Sequence, residues 1–200
     1  MTKEALIIFV KNAELGKVKT RLAKDIGDEK ALEVYLELLQ HTKDITADLV
    51  QDKYVFYSSF IPENDIFSNA GYILKQQKGD DLGERMSNAF EEVVGLGYER
   101  AAIIGSDCLE LEAPYIEKGF ECLAFRDFII GPARDGGYYL LGMKTFDSGI
   151  FKGIEWSTSS VYKKTTDYIE SQNKDFHKLP PLSDVDTIDD LGRLKTLIIE

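Results

Sequence analysis

The order of short apolar runs along this chain predicts an α/β domain built on a mostly parallel sheet. Strand-like runs occur at Leu6 to Val10, Tyr54 to Tyr57, Tyr72 to Leu74, Ala101 to Ile104, Phe128 to Ile130 and Tyr138 to Leu141. Helical patterns separate most of them, and such alternation favours right-handed crossovers between parallel strands. From Phe128 the spacing tightens. Two runs flank a Gly-rich turn with no room for a helix, so the sheet gains an antiparallel or mixed portion. A third observation concerns chemistry: the run Ala101 to Ile104 ends in Gly105-Ser106-Asp107. That places a carboxylate at the carboxyl edge of the sheet, where open α/β folds keep their ligands.

Four helices are predicted between and after these strands. One follows Gly27, with Asp28 as N-cap and Leu32, Tyr35, Leu36 and Leu39 along one face. A second carries Met86, Ala89, Phe90, Val93 and Val94 and stops near Gly95 and Gly97. Ser157 to Ser160 cap a third that runs to about Glu170, and Asp186 to Asp190 open a last one that reaches the C-terminus. No repeat, low-complexity tract or linker divides the 200 residues, so residues 1–200 are read as a single domain.

Composition narrows the function. With 24 Lys+Arg against 35 Asp+Glu the formal net charge is −11, which disfavours nucleic acid or an anionic membrane as partner. The 2 cysteines, Cys108 and Cys122, read as reduced thiols, and the 2 histidines exclude a three-histidine metal site. The N-terminus shows no secretory signal, and no stretch approaches the ~20 apolar residues of a membrane span. A cytoplasmic location is the expectation.

In so acidic a chain, Lys17, Lys19 and Arg21 stand out. They alternate, so an extended backbone would turn all three to one side and make an anion site suited to a phosphate chain; the alternative is a solvated basic loop. The segment is not a P-loop, because Lys11 and Val18 occupy positions that need Gly and Ser or Thr. Nor does a G-x-G-x-x-G follow the first strand. Asp107 and the pair Asp184, Asp186 offer oxygen ligands suited to Mg²⁺ or Mn²⁺, or serve as helix caps. Gly83 opens a helix where a phosphate or planar group can approach, or makes a tight connection. Asp135-Gly136-Gly137 form a substrate-contacting loop or a hairpin turn. Trp156 lines a pocket or belongs to the core.

Taken together, Lys11, Gly16 to Leu22, Asp81 to Met86, Ile104 to Cys108, Gly131 to Gly142, Trp156-Ser157-Thr158 and Asp184 to Thr187 resemble a bacterial family. It is the glycosyltransferase-like family labelled DUF2064, within the nucleotide-diphospho-sugar transferases of GT-A fold. The resemblance covers nearly the whole chain and implies a three-layer fold with a mixed sheet of about seven strands between helices. It also implies that Lys11, Lys17, Lys19 and Arg21 hold nucleotide phosphates, that the Gly83 loop approaches base or ribose, and that Asp107 binds the metal with Asp186 as second ligand. Asp135, as general base, would face the acceptor or sugar with Gly136, Gly137 and Trp156. A GT-A glycosyltransferase usually carries D-x-D where this chain has the single Asp107. The Lys19 to Leu22 loop with Asp107 and distant Asp186 is also similar to 2-phospho-L-lactate guanylyltransferase and related nucleotidyltransferases. The resulting expectation is a metal-dependent transferase moving a sugar from a nucleotide sugar to a small acceptor. The alternatives are a nucleotidyltransferase that joins a nucleoside triphosphate to a phosphorylated small molecule, and a catalytically idle nucleotide-binding module.

Overall fold

Strand β1 (Glu4–Val10) is apolar on both sides, with Ala5, Leu6, Ile7, Ile8 and Val10 all buried. A strand of this kind needs a helical layer on each face. The computed structural model, which describes residues 3–197, supplies both. β1 lies parallel to β2 (Asp52–Tyr57) on one side and to β4 (Arg100–Gly105) on the other, and β3 (Tyr72–Gln76) pairs in parallel with β2. β6 (Tyr138–Met143) runs antiparallel to both β4 and β5 (Phe128–Pro132), and β7 (Phe176–Lys178) adds in parallel to β5. The seven-stranded order is β3-β2-β1-β4-β6-β5-β7. The six expected runs are all strands, and the antiparallel portion falls where the spacing tightens.

The helices are α1 (Thr20–Ile26), α2 (Asp28–Thr46), α3 (Leu82–Gly95), α4 (Ala113–Leu123) and α5 (Val161–Ser171), with 3₁₀ segments at Ser148–Phe151 and Ile188–Leu197. On one face of the sheet Leu6, Ile8 and Ile104 pack with Tyr35 and Leu39 of α2 and with Ile116 and Phe120 of α4. On the other, Ile7, Ile103 and Leu141 pack with Met86 and Phe90 of α3 and Ile169 of α5. A third cluster, Leu22, Val34, Leu38, Val185, Leu191 and Leu194, fastens α1 and the C-terminal segment to α2. That cluster brings Asp184 and Asp186 back to the end of β4. Among the described residues, no helix is long and apolar enough to cross a membrane.

Several local expectations are corrected. Gly27, at φ 84, is the N-cap of α2, so Asp28 sits inside the first turn, where its charge favours the helix dipole without capping. Ser160 precedes α5 but makes no side-chain cap bond. The last helix is a 3₁₀ segment interrupted at Gly192 (φ 51), and its expected reach to the C-terminus lies outside the described residues. Arg21 is not in an extended stretch: α1 begins at Thr20, and Lys19 takes a left-handed conformation at φ 47 and ψ 41. The alternation that would turn three basic residues to one side is therefore absent.

The Asp135-Gly136-Gly137 segment is the hairpin between β5 and β6, closed by the Gly136 amide donating to Ala133 O at 3.1 Å. Gly136 has φ +95, and an added Cβ would lie 2.3 Å from the carbonyl oxygen of Ser159, a backbone atom that cannot swing away. The Gly136 carbonyl also accepts from the Tyr162 amide at 2.8 Å, so the hairpin and the start of α5 are locked together. We expect Gly136→Ala to destabilise the fold by ~2 kcal/mol, from left-handed strain and overpacking. A urea titration checks this; an unchanged midpoint would show that the hairpin and α5 move apart freely.

Candidate active site

A cleft of about 500 Å³ opens at the carboxyl edge of β1 and β4, between the start of α1, the start of α3, the β5–β6 hairpin and the segment after β7. Its floor is set by an unusual lysine. The left-handed backbone at Lys19 turns the side chain inward until it is only 4% exposed. The ammonium donates to Val185 O at 2.8 Å and lies 2.7 Å from Asp107 Oδ1. A non-glycine residue held in this conformation costs roughly 1 kcal/mol or more, and such strain clusters at functional sites.

Asp107 neither caps α4, whose N-cap is Glu112, nor stands alone. Its carbonyl accepts from the Val185 amide at 2.8 Å, which docks the segment after β7 against the end of β4. Asp186 does not cap the last segment either. Asp190, inside that segment, reaches back to accept from Thr187 N at 2.8 Å and Thr187 Oγ1 at 2.7 Å, while Asp186 Oδ2 faces Arg21 at 3.2 Å. Both partners of that pair are substantially exposed, so it adds ~0–1 kcal/mol and leaves both groups free to exchange partners. Lys17 points elsewhere and pairs with Glu14 at 2.8 Å.

The resemblance names Asp186 as second ligand and gives Asp184 no role, yet it is Asp184 whose carboxyl is half-buried beside Asp107. Burial raises the Asp184 carboxyl from 3.8 to about 7, and the charges of Asp107 and Asp135 push the same way against the opposing Lys19. Tyr35 was read only as a helix-face residue, yet its hydroxyl sits beneath the cleft. It accepts from the Lys11 amide at 2.7 Å, donates to the Lys11 carbonyl at 3.1 Å and lies 3.3 Å from Ser106 Oγ. One phenol thus fixes the ends of β1 and β4 relative to each other. No local pattern signals this, because Tyr35 and its two partners, Lys11 and Ser106, lie far apart in sequence.

Lys11, Asp135, Gly137 and Trp156 line the cleft together with Lys19, Arg21, Asp107, Asp184 and Asp186. Asp135 Oδ1 accepts from the Gly137 amide at 2.8 Å, so hairpin turn and cleft wall are the same structure. Two glycines are used differently from expectation. The space beside Gly83 is filled by the Trp156 indole, and Gly136 packs on Ser159.

Among the described residues, no three His, Cys, Asp or Glu side chains gather as a metal-ligand set. Mg²⁺ is often held by only one or two carboxylates, with substrate phosphates and water completing its shell. Asp107 and Asp184 suit that pattern: both donors are oxygens, their charges repel across the cleft, and the Lys19 ammonium rests against Asp107 in the place of a cation. The oxygen donors of Asp107 and Asp184 therefore fit a hard divalent cation.

The profile of the family described as uncharacterized proteins conserved in bacteria (DUF2064) matches residues 41–158. The chain belongs to this family. The DUF2064 chain also superposes on a Desulfovibrio desulfuricans G20 protein provisionally described as a nucleotide-diphospho-sugar transferase, with TM-score 0.88 and 34% identity over 97% of this chain and 87% of that one. Among curated proteins it is 28% identical, over 146 residues, to the 2-phospho-L-lactate guanylyltransferase of Methanocaldococcus vulcanius; the match takes in 70% of this chain and 62% of that relative's length. A CMP:2-keto-3-deoxy-manno-octonic acid synthetase complexed with CTP shares the fold at TM-score 0.59 and 9% identity, covering 98% of each chain. The chain therefore has the α/β fold of the nucleotide-diphospho-sugar transferases.

Proposed function

We propose that the protein is a metal-assisted nucleotidyltransferase, in which a phosphate oxygen of a small phosphorylated acceptor attacks the α-phosphorus of a nucleoside triphosphate. The observation that carries this reading is the buried Lys19 ammonium held on Asp107 at the cleft floor. In phosphoryl transfer the reacting centre is crowded with negative charge, so a fixed ammonium beside the metal-binding carboxylate acts where stabilisation is needed. In glycosyl transfer from a nucleotide sugar the reacting sugar carbon becomes oxocarbenium-like and the negative charge grows on the departing diphosphate, so the same ammonium acts on the leaving group and not at the reacting centre. The guanylyltransferase relative supports the same choice.

Lys19 would exchange Asp107 for a phosphate oxygen as the nucleotide enters, with Lys11 and Arg21 holding the β- and γ-phosphates. A divalent cation on Asp107 and Asp184, when bound, supplies Lewis-acid neutralisation of the phosphates. The new P–O bond forms as the bond to the β-phosphate breaks, and pyrophosphate leaves with the electron pair. The attacking phosphate is already ionised, so no base is needed. Tyr35 keeps the Lys11 peptide and the Ser106-Asp107 corner in place throughout. Glycosyl transfer from a nucleotide sugar remains the second reading, favoured by one observation: a carboxyl at about 7, that of Asp184, suits proton removal from an acceptor hydroxyl.

The two readings separate on the leaving group. The protein is incubated with Mg²⁺ or Mn²⁺ and, in parallel, with nucleoside triphosphates plus phosphorylated acceptors and with nucleotide sugars plus hydroxyl acceptors. Pyrophosphate release is the expected result. Release of nucleoside diphosphate from a nucleotide sugar would transfer the assignment to glycosyl transfer, and a nucleotide-dependent thermal shift without either product would favour an idle binding module.

A further inference from the structure

The cleft has two unlike walls. Most of its charged residues come from the β1–α1 segment, the end of β4 and the segment after β7, and Asp135 of the β5–β6 hairpin adds a carboxylate between the two walls. Phe9, Leu82, Met86, Tyr138, Trp156 and Val161 make the other wall, and Phe9, Met86, Tyr138 and Trp156 belong to the apolar cluster on the opposite face of the sheet. Trp156 is fitted into place there: an added Cβ at Gly83 would lie 2.4 Å from the indole Nε1 and 2.6 Å from Cε2, so the first turn of α3 admits the indole only because residue 83 is glycine. Ser157 follows at φ 62, in the left-handed region that non-glycine residues seldom adopt. The Tyr138 hydroxyl is turned toward Met86 Sδ at 3.8 Å, which fixes the neighbouring ring. A solvated wall has no need of this fitting.

From this wall we infer the class of acceptor, on the basis of the nucleotidyl-transfer reading: a phosphate monoester whose organic part is a planar or apolar ring seated on Trp156. In-line displacement places the attacking oxygen opposite the leaving pyrophosphate. With the pyrophosphate held by Lys11, Lys19 and Arg21, the acceptor approaches from the side where Trp156 stands. Its phosphate then meets the cation site, and its organic part meets the apolar wall. An aromatic face offset-stacked on an indole adds affinity beyond the area buried.

Trp156 is the 1 tryptophan of the chain, so its emission reports this wall alone. The probes are phenyl phosphate and methyl phosphate, titrated in the presence of Mg²⁺ and a saturating nucleoside triphosphate analogue that cannot be cleaved between its α- and β-phosphates. Phenyl phosphate should change the emission with an affinity about tenfold above that of methyl phosphate. By calorimetry, Trp156→Leu should abolish that preference while nucleotide and methyl phosphate bind as before. Equal affinities for the two esters would overturn the inference. So would a full emission change with the nucleotide analogue alone, which would place the base on Trp156. Failure of the underlying reading looks different: no nucleotide analogue shifts the melting temperature, with or without Mg²⁺.

Discussion

Replacing Lys19 with Met should lower turnover by a factor of about 10²–10³ while the fold survives, the range seen when a single preorganised group is removed from a developing anion. Met keeps the length and the apolar stem of the buried side chain and deletes the ammonium, which is bonded to Val185 O and Asp107 Oδ1. Asp107 is 37% exposed at its side chain, so water can replace part of the lost pairing, and the stability cost should stay near ~1–2 kcal/mol. The two effects are read separately, by urea unfolding of the free protein and by pyrophosphate release under saturating nucleotide. Because Lys19 acts on charge that grows during the reaction, the loss should fall on kcat more than on KM. Turnover within a few fold of the parent would remove Lys19 from the chemistry and return it to a purely structural tie between α1, β4 and the C-terminal segment. Lys17→Met serves as the control, since Lys17 faces Glu14 on the surface and should change little.

Why the sequence reveals Asp107 but hides its partner follows from the range of each signal. A strand buried on both faces is a continuous apolar run, so β1, β2, β4, β5 and β6 can be read locally, and a carboxylate at the end of such a run is placed at once. β7 is three residues long and at most half-buried, and its pairing with β5 defines it, so no local pattern marks it. α4 is obscured by Gly119, which sits mid-helix because an added Cβ there would lie 2.6 Å from Ile129 Cδ1; close helix–sheet approach prevails over helix propensity. The basic segment misleads for a related reason. Alternation predicts one shared side only if the backbone is extended, and the left-handed turn at Lys19 sends Lys17, Lys19 and Arg21 to Glu14, Asp107 and Asp186 in turn. Those last two ion pairs depend on Val185, Leu191 and Leu194 packing against α2, a tertiary event with no signature near Lys19.

The repulsion built into the acidic side of the cleft leads to a second large expected effect. Asp184→Asn should make the nucleotide-free protein more stable above neutral pH while lowering its turnover at least about tenfold. In the fold, burial and the charges of Asp107 and Asp135 raise the Asp184 carboxyl from 3.8 to about 7. A carboxyl raised by folding keeps its proton better in the native state, so its contribution is fully present below about pH 4 and is lost as pH rises to about 7. At ~1.4 kcal/mol per pH unit this window sets a ceiling of about 4 kcal/mol, and solvent relaxation around a half-buried group reduces the expected gain to ~1–3 kcal/mol. Asparagine stays neutral at every pH, so the advantage of the variant should grow from pH 4 to pH 7 and level off above it. Unfolding titrations across that range measure the profile, and a flat difference would show that neither burial nor its neighbours' charge raises the Asp184 carboxyl. Divalent cation tests the same interaction from the other side. Mg²⁺ with a nucleoside triphosphate should stabilise the parent protein more than the variant at pH 8, because only the parent carries the full repulsion that a cation relieves.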